Sequence, residues 1–106
     1  MEKINIIQHF KEHLIKLFGD DIDEVVLFGS RVSGKAGDFS DYDVLVILSC
    51  NYDWRYKNKI FDAVADIELE HEIIIDLHLI SAEELKNSIW GKLPLFQQAI
   101  KNGTKV

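Results

Sequence analysis

The chain has 106 residues, a formal net charge of -6, and 47% hydrophobic against 28% charged residues. This is enough chain to bury one core without disulfide or metal staples, and its acidic balance argues against a surface that tracks nucleic-acid backbones. Cys50, the single cysteine, cannot form an internal bridge. No apolar run nears the ~20 residues that span a bilayer, and no signal-peptide core follows Met1. A reducing, cytoplasmic setting without membrane contact is therefore expected.

The first element is an amphipathic helix. Ile7, Phe10, Leu14, Leu17 and Phe18 recur at helical spacing, and Gly19 closes the pattern. Asp20 to Glu24 reads as a short acidic connection, and Glu24 to Phe28 as a buried strand of β-branched and aromatic residues. Gly29 to Asp41 follows as a loop with three glycines and three serines. Asp43 to Leu48 is a second buried strand. Asp53 then serves as the N-cap of a helix that carries Trp54, Ile60, Phe61, Val64 and Ile67 and reaches about Glu70.

Glu72 to Ile80 is predicted as a third strand, dominated by Ile and Leu. Ser81-Ala82-Glu83-Glu84 is a capping-box signature, and the helix it opens carries Leu85 and Ile89. Pro94 suits the first turn of a last helix, which Asn102-Gly103 ends. The order helix, strand, helix, strand, helix predicts one α/β domain over residues 1–106, with a small sheet flanked by helices. Strand order cannot be read from the pattern.

The chemistry is concentrated between Val25 and Leu48. A strand delivers Gly29-Ser30 at its end, and Asp41-Tyr42-Asp43 opens the next strand. Side chains two apart on a strand share a face, so Asp41 and Asp43 project together and can share hard divalent cations. Gly29 allows close backbone approach, and Ser30 offers an amide and a hydroxyl to phosphate oxygens. Gly29 to Lys35 also has the spacing of a P-loop, but Ala36 stands where Ser or Thr would hold Mg²⁺ and no helix follows. Taken alone, the two aspartates equally suit a solvated turn.

Asp76 shifts that balance. It interrupts the run Glu72 to Ile80, where a buried strand is expected and an unpaired carboxylate would be costly. A bound metal ion would resolve the cost, and so would a buried Arg or Lys.

Together Gly29-Ser30-Arg31, Gly34, Ser40-Asp41-Tyr42-Asp43 and Asp76 resemble the motif of the DNA polymerase β-type nucleotidyltransferase superfamily. The small size is similar to the minimal nucleotidyltransferases, often partners of HEPN-domain proteins in prokaryotic toxin–antitoxin pairs. The tail from Pro94-Leu95-Phe96 to Gly103 fits the same pattern. The resemblance implies a polymerase β-like palm fold and a metal-dependent transfer of a nucleoside monophosphate, AMP from ATP, to a hydroxyl. It implies that Asp41 and Asp43 bind two Mg²⁺ ions (or Mn²⁺), with Asp76 as further ligand and candidate base. Gly29 and Ser30 would hold the β- and γ-phosphates. Arg31 beside them suits equally a bidentate donor to phosphate or a surface ion pair. The expected partners are ATP, or another nucleoside triphosphate, and a HEPN-type protein whose tyrosine is the acceptor; free nucleic acid is not expected. An antitoxin that neutralises its partner by binding alone is the rival reading.

Other residues carry less. Lys35 suits a solvated loop position. His9 and His13 stand at i, i+4 on the first helix, a metal pair only if a third ligand comes near. His78 shares a strand face with Asp76, a position that suits lining the same pocket or simple packing. Trp54 and Trp90 suit core or interface positions, and Cys50 a buried thiol.

Overall fold

A computed structural model describes residues 3–29 and 42–106. In chain order its elements are α1 (Lys3–Phe18), a 3-10 turn (Gly19–Asp21), β1 (Ile22–Phe28), β2 (Tyr42–Leu48) and α2 (Trp54–His71). β3 (Ile75–Ser81), α3 (Ala82–Asn87), a second 3-10 turn (Ile89–Lys92), α4 (Pro94–Asn102) and β4 (Thr104–Lys105) follow.

The sheet is mixed, in the order β3-β2-β1-β4. β1 runs antiparallel to both of its neighbours, while β2 and β3 are parallel. The long α2 makes the crossover that a parallel pair requires. Two layers of helix cover the sheet. On one face, Ile7, Phe10 and Leu14 of α1 and Ile60, Val64 and Ile67 of α2 pack on Val25, Leu27, Val44, Val46 and Leu48. On the other face, Ala99 and Phe96 of α4 and Leu85 of α3 pack on Val26, Phe28, Leu45, Ile47 and Ile80. Burial on both faces explains why β2 reads as an unbroken apolar run.

The caps follow local chemistry. The Asp53 side chain accepts from the Tyr56 N–H at 3.0 Å. Ser81 and Glu84 form the full reciprocal capping box. α2 ends in a left-handed residue, Glu72, at φ 54° and ψ 47°. The sequence extends the third strand back over Glu72, but that residue turns the chain and β3 starts at Ile75. Glu68 completes the junction: its carbonyl accepts from the Ile73 N–H at 3.2 Å and its carboxylate from the Ile75 N–H at 2.9 Å.

Three further expectations change. Ile89 lies in the second 3-10 turn, because the helix opened by Ser81 stops at Asn87. Trp54 and Trp90 are 67% and 57% exposed, so of the core and interface positions expected for them only the core is excluded. Cys50 is half-buried.

Candidate active site

β1 and β2 bring the site together through register. Phe28 is the pairing partner of Asp43, and Asp43 in turn is the partner of Asp76 across the parallel pair. The three residues therefore form one row across the sheet. Alternation places Asp43 on the face of Leu45 and Ile47, and Asp76 and His78 on the face of Ile80. This is the face covered by α3 and α4.

Ligand-capable atoms of Asp43, Asp76 and His78 all lie within 4.8 Å of one another. His78 Nε2 stands 3.6 Å from Asp76 Oδ2, and its ring lies against Phe28 with centroids 5.5 Å apart. Two carboxylates this close repel each other in water and more strongly where solvent is displaced, so the cluster favours a cation. Asp76 is anchored from below, since the Glu68 carboxylate fixes the Ile75 amide immediately before it.

Gly29 follows β1 directly, with φ +79°. A side chain there would collide with the Asp43 carboxylate. The glycine thus allows the Asp43 carboxylate to lie directly against the backbone at the start of the loop.

One expectation about Asp76 is corrected. Its side chain is 55% exposed, although the sequence around it reads as a buried strand. Among the described residues β3 is an edge strand, and the described helices on this face leave its first half open. The carboxylate therefore needs no buried Arg or Lys. Ser30, Arg31, Gly34, Lys35, Ser40 and Asp41 lie outside the described residues. His78, which the sequence places on the right face without a firm role, joins the cluster; its only signal was the two-residue spacing from Asp76.

His9 and His13 do not join each other. Both turn to α2, His13 Nε2 to Asp66 Oδ2 at 3.1 Å and His9 Nδ1 to His71 Nε2 at 2.9 Å. An open pocket of about 200 Å³ lies near the far end of β3, lined by Tyr52, Leu79, Ile80, Glu84, Trp90 and Phe96. It includes none of the clustered acids. No described helix is long and apolar enough to cross a membrane.

Residues 5–104 match the family described as polymerase beta, nucleotidyltransferase. Over 75 residues the chain is 35% identical to "Putative protein adenylyltransferase MJ0141" of Methanocaldococcus jannaschii, covering 71% of this chain and 76% of that protein. A second protein of that organism, MJ1305, carries the same description and is 44% identical over 43 residues, 41% of this chain and 29% of its own length. Among solved structures, a toxin–antitoxin complex with AMP-PNP superposes with a TM-score of 0.60 at 16% identity, over 98% of this chain and 72% of that one. The toxin–antitoxin MntA-HepT gives a TM-score of 0.51 at 15% identity, over 98% and 70%. Nucleotidyltransferases generally use divalent metals, and the carboxylates of this chain offer suitable ligands. The match over nearly its whole length, on an α/β fold with a small mixed sheet flanked by helices, makes this chain a member of the polymerase β-type nucleotidyltransferase family and an enzyme.

Proposed function

We propose that this chain transfers AMP from ATP to a hydroxyl of a partner protein and acts as the antitoxin of a HEPN-type toxin–antitoxin pair. The observation that carries the reading is the register pairing of Asp43 with Asp76 beside the side-chain-free Gly29. The names of the relatives support protein as the acceptor. The toxin–antitoxin neighbours support the partner class, and the AMP-PNP complex supports the nucleotide.

Asp41, Asp43 and Asp76 would hold two Mg²⁺ ions, with Mn²⁺ as a substitute; oxygen ligands suit both metals. Bound there, the ions would supply charge neutralisation at the triphosphate and polarisation of the α-phosphorus. The chain's own residues do the remaining work. Gly29 and Ser30 present backbone amides, and Ser30 its hydroxyl, to the β- and γ-phosphates. Arg31 offsets their charge as a bidentate donor.

The acceptor oxygen forms a bond to the α-phosphorus as the bond from that phosphorus to the β-bridging oxygen breaks, and pyrophosphate leaves. Asp76 takes the acceptor's proton. Its exposure suits that role, because the acceptor reaches the carboxylate from outside the fold. His78 Nε2 lies 3.6 Å from that carboxylate and lines the same cluster. Residues 1–106 act as one nucleotidyltransferase domain in the cytoplasm. An acceptor with its own protein surface also fits the net charge of -6, which repels a free polyanion.

The test takes the product of the adjacent gene and, where that is a small helical protein, co-purifies it with this chain and incubates the pair with Mg²⁺-ATP. Intact mass spectrometry should show the partner gaining AMP, and no gain with Asp43→Asn/Asp76→Asn. If the double variant binds and neutralises the partner equally well, and the native chain adds no mass, antitoxin action is by binding alone.

A further inference from the structure

On the face of the sheet opposite Asp43 and Asp76, α1 and α2 lie side by side and antiparallel. His9 meets His71 at one level, and His13 meets Asp66 a turn away in both helices. At the first level three ligand atoms converge. His9 Nδ1 is 2.9 Å from His71 Nε2, and Glu70 Oε2 stands 3.8 Å from the first and 3.9 Å from the second. None of the three belongs to the active site, and all three atoms fall within 4.8 Å of one another.

We propose that His9, Glu70 and His71 form a second metal site, for a borderline transition-metal ion such as Zn²⁺, that clips α1 to α2. A tetrahedral zinc ion with bonds of about 2.0–2.1 Å holds its ligand atoms roughly 3.3–3.4 Å apart. The observed separations bracket that value, so small side-chain rotations suffice. Two imidazoles and one carboxylate match zinc's ligand preference and leave a fourth position for water. Mg²⁺ demands near-octahedral oxygen ligation and is disfavoured here.

The proton count closes without an external base. Each neutral ring carries one proton, and the hydrogen bond between the rings uses one proton and one lone pair. On binding, the donor ring moves its proton to its other nitrogen. His9 Nδ1 and His71 Nε2 then both offer lone pairs, and no net proton is released. Access is open: the side chains of His9, Glu70 and His71 are 38%, 57% and 14% exposed. The pair His13–Asp66 holds the two helices in the same register.

The experiment uses the untagged full chain, stripped with chelator and free of nucleotide. Asp43, Asp76 and His78 also combine an imidazole with carboxylates, so the background carries Asp43→Asn/Asp76→Asn. Zn²⁺ is titrated by calorimetry, and Co²⁺ is followed by visible absorption. One Zn²⁺ per chain, tetrahedral Co²⁺ bands and a melting point raised by roughly 5–10 °C in excess metal are expected. Adding His9→Gln/His71→Gln should weaken binding by about a hundredfold, and Glu70→Gln alone by about tenfold. Circular dichroism without metal checks that each variant is folded, and the single His9→Gln replaces the pair if that fails. Absence of Zn²⁺ binding in the background, or binding unchanged by the histidine variants, overturns the proposal.

Discussion

The carboxylate of Asp43 fills the space that a methyl group on Gly29 would need. The close approach is possible because Gly29 has no side chain and adopts a positive φ. The end of β1 and the start of β2 are fitted to each other there, where the register also pairs Phe28 with Asp43.

Gly29→Ala should therefore fail twice, by displacing Asp43 and by straining the backbone. The left-handed conformation alone costs an alanine about 1–3 kcal/mol. Differential scanning calorimetry should show a melting point lower by several degrees. ATP affinity should fall as well, even at temperatures where the variant is folded. A variant with native stability and native ATP affinity would contradict the fitted contact.

Asp76→Asn separates chemistry from fold. The side chain is 55% exposed, so the substitution should change stability by no more than about 0.5 kcal/mol. Transfer should drop about 10²–10⁴-fold, the usual contribution of a positioned proton acceptor. Single-turnover assays with saturating Mg²⁺-ATP measure this loss apart from nucleotide binding.

Tyr56 predicts an alkaline limit to stability. Its phenol is raised above the ordinary range, by burial first and then by its 2.8 Å hydrogen bond to the Asp21 carboxylate. A group that holds its proton more tightly when folded stabilises the fold below its unfolded value, near 10. That contribution is lost as pH rises through the folded value. Melting temperatures should decline above about pH 10, and Tyr56→Phe should decline less steeply. At pH 7 the same variant loses a hydrogen bond to a charged group, roughly 1.5–3 kcal/mol, while its ring keeps the contact with Phe18.

Glu72→Gly should stabilise the protein. Glu72 is an exposed residue in the left-handed region at the end of α2, where an ordinary side chain costs about 1–2 kcal/mol. Glycine removes that cost and keeps the N–H donor to the Glu68 carbonyl. A gain of about 1 kcal/mol would raise the melting point by roughly 4–8 °C. Because Glu72 touches the β3 junction, activity should be measured beside stability.

The elements with strong local signals were legible in the sequence. α1 has its apolar stripe, α2 its Asp53 cap, α3 its capping box, and β1 and β2 their apolar runs. Less was legible where tertiary contacts decide. Nothing in Thr104-Lys105 marks a strand; it becomes one because β1 offers a free edge, paired at Val26 and Leu27. The start of β3 was misplaced because Glu72, Ile73 and Ile74 continue the strand composition, whereas the left-handed Glu72 interrupts it. For the site, two-residue spacing placed Asp76 and His78 on one face, but only strand order brought Asp43 beside them. The His9–Glu70–His71 cluster depends on helix pairing across more than 60 positions of chain, beyond any local motif.

The position of β3 at the margin of the sheet has a consequence for solubility. A marginal strand presents unpaired backbone groups that can recruit another chain. Here the outer strand carries Asp76 and His78 on one face, and charge at such a margin discourages the next strand from adding. The groups proposed for chemistry thus also guard against aggregation. Replacing both by valine would leave Ile75 to Ile80 an uninterrupted β-branched and aliphatic segment, the composition that stacks into fibrils.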